Sequence, residues 1–265
     1  MTRSAVVLVY PSAIDLSSSH LRFLTGQLAE RRRQVGTRWR HLPPNRQALL
    51  VLAHLRCGDT YTRLAASFGI GVATVYRYIR EAVDLLAALV PTLQQALKRA
   101  AAKAFVILDG TLLPIDRIAA DRPSYSGKHR KHRKHRKHGM NVQVIADPFG
   151  RLLWASAALP GAVHDIKAAR THGVIDALAE VGLVCYGDKG YQGAGGTVRV
   201  PFRGKHRDLS VGQQAVNVAH ARLRAVGEQA MATLKSWRLP RKLRCSTTRV
   251  TGLVQAVLAL HIGWA

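Results

Sequence analysis

The chain has 265 residues, 48% of them hydrophobic, which is enough for one large or two modest domains and excludes a disordered protein. Its 40 Lys and Arg against 15 Asp and Glu give a formal net charge of +25, far more than solubility requires, so a polyanionic partner such as nucleic acid is expected. The three cysteines are widely separated and form no Cys-x-x-Cys pair, which supports neither a disulfide framework nor a zinc site. Because no stretch is long and apolar enough for a signal peptide or a membrane span, we expect a cytoplasmic protein without a membrane partner.

The first predicted element is a basic amphipathic helix. Leu21, Leu24 and Leu28 recur at helical spacing after a run of serines, and the helix is expected to end before Gly36. A basic linker with a Pro-Pro pair follows, so residues 1–44 are predicted to be a basic N-terminal helical arm and linker. The arginines at the end of this helix fit a solvated helix end or a direct phosphate contact.

Residues 45–100 are predicted to form a helix-turn-helix DNA-binding domain with a connecting helix. Ala65 is a small residue where two helices touch, Gly69 allows the turn, and Val75 is an apolar anchor on the second helix. A plain helical hairpin with exposed arginines is the alternative. In the helix-turn-helix arrangement, four side chains of the second helix face outward and can donate to phosphates and base edges: Thr74, Tyr76, Arg77 and Arg80.

The remainder of the chain, residues 101–265, contains two apolar strands that are each followed by an aspartate. A strand beginning near Phe105 leads into Asp109, and a strand beginning at Leu183 leads into Asp188. A β-hairpin and two short helices are predicted between them. If the two strands are neighbours in one sheet, both aspartates lie side by side. For either residue taken alone, a turn aspartate after a core strand is the alternative.

An internal repeat of Lys-His-Arg triplets occupies residues 128–138. It has no apolar member and its like charges repel one another, so it is predicted to be a basic loop. This loop fits a contact with polyphosphate about as well as a low-complexity expansion without a role.

The predicted helix from Gln213 to Trp237 offers a third acid. Arg224, Glu228 and Lys235 are offset by 0, 4 and 11 residues, which at about 100° per residue puts them within about 40° on one helix face. A surface ion-pair ladder is the alternative. Three carboxylates supply the hard oxygen ligands that suit Mg²⁺ or Mn²⁺, and nearby positive charges limit the repulsion between them. Two such ions can activate water and stabilise the leaving oxygen in phosphodiester cleavage.

Four short motifs carry a resemblance to a known family. They are Leu108-Asp109-Gly110-Thr111, Pro160-Gly161 with Val163-His164-Asp165, Gly187-Asp188-Lys189-Gly190-Tyr191, and Arg224-x-x-x-Glu228 followed after six residues by Lys235. In this order they resemble the DDE transposases of bacterial insertion sequences, in the group related to insertion sequence five and to Harbinger-type elements. The resemblance covers residues 45–260 and implies an α/β fold, with an RNase H-like mixed sheet flanked by helices and preceded by the all-α helix-turn-helix domain.

The resemblance also implies the roles of individual residues. Asp109, Asp188 and Glu228 would form the catalytic, metal-binding triad, with two Mg²⁺ or Mn²⁺ ions as cofactors. Arg224 and Lys235 would contact DNA or orient the last catalytic helix. The family's tyrosine three residues before the arginine is replaced here by Ala221.

Asp165 is the competing acid, because it follows a predicted strand and could approach the site. The simpler interpretation is a residue at the N-terminus of a helix, where the helix dipole favours negative charge. We therefore leave Asp165 out of the triad.

The activity implied by the resemblance is DNA transposition. The protein is expected to bind the terminal inverted repeats of its element, to hydrolyse the DNA at both ends, and to join the freed 3′-hydroxyl to target DNA. Since two ends must be held, we expect a homodimer or larger assembly on double-stranded DNA, associated with the bacterial nucleoid. The alternatives are a catalytically inactive, sequence-specific DNA-binding regulator derived from such a transposase, and an RNase H-like nuclease acting on RNA, which the helix-turn-helix disfavours.

Overall fold

The computed structural model describes residues 18–37, 39–115, 139–237 and 247–263. They fall into two compact units: the first holds the described residues up to Leu89, a short segment from Ser236, and the end of the last helix from Gln255. The second unit holds Val90–Lys235 and the described residues up to Val254. The predicted Lys-His-Arg loop, 128–138, lies outside the described residues. None of the helices that the structure describes is both long and apolar enough to span a membrane.

The first unit is helical. Its first four helices are α1 (Ser18–Val35), α2 (Pro44–Cys57), α3 (Tyr61–Phe68) and α4 (Val72–Ala88). The predicted amphipathic helix is α1, whose Leu24 and Leu28 are buried and which packs against α2. Leu52 of α2 and Leu86 of α4 are also fully buried, so these helices share an apolar core.

Helices α3 and α4 form the predicted helix-turn-helix. Thr60 caps α3 by accepting a hydrogen bond from the backbone N–H of Arg63, and Gly69 ends the helix with a φ of +66°, which favours glycine. Ala65 and Val75 are both buried, at the positions expected for the helix contact and the apolar anchor. The three features that predicted the motif are therefore present.

A mixed β-sheet forms the centre of the second unit. Its strands are β1 (Val106–Pro114), β2 (Gly139–Ala146), β3 (Leu152–Ala155), β4 (Leu159–Pro160), β5 (Cys185–Gly187) and β6 (Val198–Arg199). The strand order is β3-β2-β1-β5-β6, with the short β4 also paired to β2. Strand β1 runs antiparallel to β2 and parallel to β5, which makes the sheet mixed.

Helices cover both faces of this sheet. They are α5 (Leu93–Ala100), α6 (Asp165–Thr171), α7 (Val174–Val181) and α8 (Val211–Ser236). The last helix, α9 (Thr247–Ile262), contributes its residues up to Val254 to this unit. On one face, Val106 and Leu108 of β1 share a buried cluster with Leu97 of α5 and Leu178 of α7. Ile107 points to the other face, because successive strand residues alternate, and there it meets α8. The predicted fold class, a mixed sheet flanked by helices and preceded by a helix-turn-helix, is confirmed.

Strand β1 continues beyond Asp109. The sequence predicts an apolar strand that leads into Asp109 and an extended segment from Thr111 to Asp116. The structure joins the two into one strand that ends at Pro114, because β2 pairs with it from Ile107 onward. The second strand of the hairpin, which the sequence predicts over Arg151 to Leu159, begins at Leu152 and ends at Ala155. Asp109 therefore lies within a strand and not in a turn, and this fixes the face on which its side chain lies.

Candidate active site

Two aspartates follow the last paired residues of two parallel strands. The register of β1 and β5 ends with Leu108 opposite Gly187, and the next residues along the two strands are Asp109 and Asp188. The carboxylate of Asp188 is near enough to raise the pKa of Asp109. The two strands that the sequence predicts are thus neighbours, and each brings an acid to the same region.

The turn after β5 holds Asp188. Its Oδ1 accepts a hydrogen bond of 2.7 Å from the backbone N–H of Gly190. Gly187 leaves room for the buried ring of Tyr191, since an added methyl group would lie 2.9 Å from that ring. The glycines and the tyrosine of this motif therefore fold the chain back tightly after the strand and fix the Asp188 carboxylate.

Asp109 has an unusual proton affinity. Its side chain is 24% exposed. Burial raises the pKa of this carboxyl from 3.8 to about 6, Arg224 opposes that rise, and the carboxylates of Asp188 and Asp165 add to it. The backbone N–H of Gly110 donates a hydrogen bond of 3.0 Å to its Oδ1 and favours the ionised form. These groups leave a local excess of negative charge that a cation would neutralise.

Helix α8 lies directly against β1. A methyl group added to Gly227 would lie 2.7 Å from Cγ2 of Ile107, so only a glycine fits this contact without displacement. One turn earlier in the helix, Nη2 of Arg224 lies 3.7 Å from Oδ1 of Asp109. Glu228 immediately follows the contact glycine. The helix thus brings Arg224 to the strand acid and carries Glu228 on the adjoining part of its surface.

Glu228 and Lys235 are both exposed on α8. Within the described ranges, no three His, Cys, Asp or Glu side chains form a group that could hold a metal ion, so the predicted triad is not a ready-made coordination site. The donors nevertheless fit a divalent cation, because they are hard carboxylate oxygens. Burial, together with the nearby carboxylates of Asp188 and Asp165, raises the pKa of Asp109 even though Arg224 opposes the rise, so a bound cation would favour its ionised form.

Asp165, which the sequence interpretation left out, lies beside these residues. It is the first residue of α6, as expected of a helix N-terminal acid, but only 3% of it is exposed. Its Oδ1 accepts a hydrogen bond of 2.9 Å from Nδ2 of Asn141, and its carboxylate packs against Gly110. The missed signal was the pair Asn141 and Gln143, two polar residues on one face of an otherwise apolar strand.

The predicted DNA-contacting residues of the first unit lie on α4. Arg77 and Arg80 are exposed, whereas Thr74 and Tyr76 are partly buried. Nη2 of Arg77 donates to the Thr74 hydroxyl at 3.3 Å, and Nη1 of Arg80 donates to the Tyr76 hydroxyl at 3.2 Å. One helix surface therefore presents two guanidinium groups beside two hydroxyl groups, which suits phosphates and base edges.

A helix-turn-helix in one unit, and two aspartates that directly follow the paired residues of parallel strands of a mixed sheet in the other, form the arrangement expected of a DNA-cleaving enzyme. Residues 108–261 match the model of the DDE superfamily endonuclease, and residues 40–92 match that of the helix-turn-helix of DDE superfamily endonuclease. The chain belongs to the DDE superfamily endonucleases. Enzymes of this family use divalent metal ions.

One similar protein comes from Streptomyces albus G and carries the name of a transposase for insertion sequence element IS112. The two are 28% identical over 227 residues, which are 83% of this chain and 80% of that protein. No solved structure matches the chain. The resemblance to the DDE transposases of bacterial insertion sequences is confirmed by the family and relative matches, as is the expectation of a nuclease that acts on DNA.

Proposed function

We propose that this chain cleaves the DNA at both ends of a bacterial insertion sequence and joins those ends to target DNA. The observation that carries the proposal is that Asp109 and Asp188 directly follow the last residues that pair β1 with β5, with Arg224 facing Asp109. The net charge of +25 and the helix-turn-helix support DNA as the partner. No feature of the described residues favours the catalytically inactive regulator.

Asp109, Asp188 and Glu228 are the residues that would hold the metal, which we propose to be two Mg²⁺ or Mn²⁺ ions. When bound, such ions lower the pKa of a water molecule and stabilise negative charge on the attacking and leaving oxygens. The carboxylate oxygens of the three residues are suitable donors, and the excess of negative charge around Asp109 supports cation binding.

Cleavage and joining are two exchanges at phosphorus. In the first, the oxygen of water attacks the phosphate at the element's end, and the bond from phosphorus to the 3′ oxygen breaks to leave a 3′-hydroxyl. In the second, that hydroxyl attacks a target phosphate and displaces the target's own 3′ oxygen. Arg224, which lies next to Asp109, would pair with the phosphate under attack. Lys235, exposed further along α8, would contact the flanking backbone.

The inverted repeats at the element's ends would be bound by α4. Arg77 and Arg80, with Thr74 and Tyr76 beside them, supply the donors that phosphates and base edges require. Because each reaction joins two ends, we propose that a homodimer or larger assembly forms on the DNA. Such an enzyme would act in the bacterial cytoplasm, on the DNA of the nucleoid.

The proposal is tested by a cleavage assay on DNA that carries the inverted repeats flanking the coding sequence. Asp109→Asn, Asp188→Asn and Glu228→Gln are compared with wild type in Mg²⁺, at saturating protein. We expect each variant to lose cleavage by at least about a thousandfold and to keep repeat binding.

Two exposed acids of α7 provide matched controls for these substitutions. Asp176→Asn and Glu180→Gln each remove one negative charge from exposed positions of the same unit. We expect both controls to cleave like wild type. If the Asp109, Asp188 and Glu228 variants cut as fast as the controls, the proposed triad is wrong.

A further inference from the structure

The carboxylate of Asp165 packs between the chain segments that follow Asp109 and Asp188. A methyl group added to Gly110, next to Asp109, would lie 2.6 Å from Cγ of Asp165. A methyl group added to Gly190 would lie 3.0 Å from Oδ2 of Asp165 and 2.8 Å from Oδ1 of Asp188. Both glycines thus leave space for the same carboxylate, which touches both segments.

A chain of buried amides holds Asp165 in this position. Nδ2 of Asn141 donates to its Oδ1 at 2.9 Å, and Nε2 of Gln143 lies 3.4 Å from the same oxygen. Gln143 also donates to Oδ1 of Asn141 at 2.8 Å and accepts a hydrogen bond of 2.6 Å from the hydroxyl of Tyr191. Because these groups constrain one another, the Asp165 carboxylate has little freedom to rotate.

A role at the helix terminus alone does not explain this arrangement. Asp176, in the first turn of α7, is exposed, as an acid that serves only the helix dipole can be. Asp165 is almost completely buried, and burial of a carboxylate is costly unless specific hydrogen bonds compensate. The cost indicates that Asp165 is kept for what it contacts inside the unit.

We propose that Asp165 is a positioning residue of the active site, which sets the relative placement of Asp109 and Asp188 through Gly110 and Gly190. This inference rests on the proposed function, because it assumes that Asp109 and Asp188 are the metal-binding acids. The position of Asp165 explains why both motifs have a glycine: a side chain at Gly110 or at Gly190 would meet its carboxylate. Loss of its carboxylate should loosen both segments and weaken the site for a divalent ion.

The contact itself is tested by a double-mutant cycle on the full chain. The φ of Gly110 lies outside the left-handed region, so the backbone accepts alanine there. Gly110→Ala should lower the midpoint of thermal unfolding in the wild-type background and lower it clearly less in the Asp165→Ala background, where the obstructing carboxylate is gone. An equal loss in both backgrounds would show that the two residues are not coupled and would overturn the proposal.

The positioning role is tested by Mn²⁺ binding, measured by electron paramagnetic resonance, and by single-turnover cleavage at saturating DNA. Asp165→Ala should weaken Mn²⁺ binding and slow cleavage by about tenfold to a hundredfold, with DNA affinity unchanged. Asp165→Asn, which keeps the shape and one acceptor oxygen, should recover part of both. Asp176→Ala serves as the control for helix-terminus charge and should match wild type.

The two measurements separate this inference from the proposed function. If Asp165→Ala binds Mn²⁺ and cleaves as wild type does, Asp165 is not a positioning residue, even though the enzyme is a transposase. If wild type itself does not cleave repeat DNA, the proposed function is wrong, and Mn²⁺ binding becomes the only test of the positioning role of Asp165. In that case weaker binding by Asp165→Ala supports the positioning role, and equal binding overturns it.

Discussion

Arg224 and Asp109 face each other across the contact between α8 and β1, with 3.7 Å between Nη2 and Oδ1. The guanidinium opposes the rise that burial causes in the pKa of the Asp109 carboxyl, which still reaches about 6. Among the residues that the structure describes, Nε of Arg224 is buried without a hydrogen-bond partner. Arg224 therefore stabilises the ionised form of Asp109, and in the proposed reaction its guanidinium would also pair with the phosphate under attack.

Replacing Arg224 should slow DNA cleavage without removing repeat binding. In Arg224→Gln the Asp109 pKa should rise further, because the charge that lowers it is gone, and the phosphate loses a charged donor. We expect cleavage at neutral pH to fall by about a hundredfold or more in a single-turnover assay. Arg222→Gln removes an exposed arginine from the same helix and should leave the rate near that of wild type. Equal rates for the two variants would contradict this role of Arg224.

Gly227→Ala should displace α8 from the sheet. In a helix interior, alanine normally stabilises by about 1 kcal/mol over glycine. Here the new methyl group would meet Ile107 at 2.7 Å, and overpacking of this kind costs about 1 to 3 kcal/mol, so the loss should exceed the gain. Urea unfolding should show a lower free energy of unfolding for Gly227→Ala, together with slower cleavage.

Gly212→Ala is the matched control in the first turn of the same helix. Around Gly212 the nearest atom to an added methyl group is Oγ of Ser210, at 4.0 Å. This variant should be as stable as wild type or slightly more stable. A stable, fully active Gly227→Ala protein would show that the close approach of helix and strand is unnecessary.

The local part of the site could be predicted from the sequence. An apolar run that leads into Asp109 or Asp188 is visible within a few residues, and so is the spacing of Arg224 and Glu228 on one helix face. The helix-turn-helix is equally local, because Ala65, Gly69 and Val75 lie within one supersecondary unit. In each case the residues that specify the feature are near one another in the chain.

The parts that depend on distant partners could not be predicted. The sequence indicates that the chain stays extended after Asp109, but the pairing with β2 that places Asp109 inside one continuous strand is not visible in the sequence of β1. Asp165 has the sequence signature of a helix N-terminus, and its burial follows from contacts with Asn141 and Gln143 on another element. The polar character of Asn141 and Gln143 is explained only by the Asp165 carboxylate that they contact.

If α4 is the recognition helix that binds the inverted repeats, the double variant Arg77→Ala/Arg80→Ala should lose its sequence specificity. Fluorescence anisotropy should show that this variant no longer distinguishes inverted-repeat DNA from a scrambled duplex, because base-edge contacts carry discrimination. The slope of log affinity against log salt concentration should fall by about one for each phosphate contact removed. Arg22→Ala/Arg31→Ala removes two exposed arginines of α1 and should keep the preference for the repeat. If both double variants keep it, α4 is not the recognition helix.

Asp109→Asn should make the metal-free protein more stable at neutral pH. The folded state holds the Asp109 proton more tightly than the unfolded chain does, because burial raises the pKa from 3.8 to about 6. Stability is therefore lost as the pH rises between these two values, and above pH 6 the penalty is about 3 kcal/mol. Below pH 3.8 the carboxyl is neutral in both states, and the variant should have no advantage.

Urea unfolding of wild type and Asp109→Asn between pH 4 and pH 8, in EDTA, measures this difference directly. The stability curves should lie close together near pH 4, separate as the pH rises to about 6 and stay apart above it, with the variant more stable than wild type. Adding Mg²⁺ at pH 8 should stabilise wild type more than the variant, since a cation offsets the negative charge that burial disfavours. Asp176→Asn, on an exposed position, should follow wild type throughout. If the variant is less stable than wild type at pH 8, the ionised Asp109 carboxyl does not destabilise the metal-free protein. The argument that excess negative charge favours a cation at this site would then be wrong.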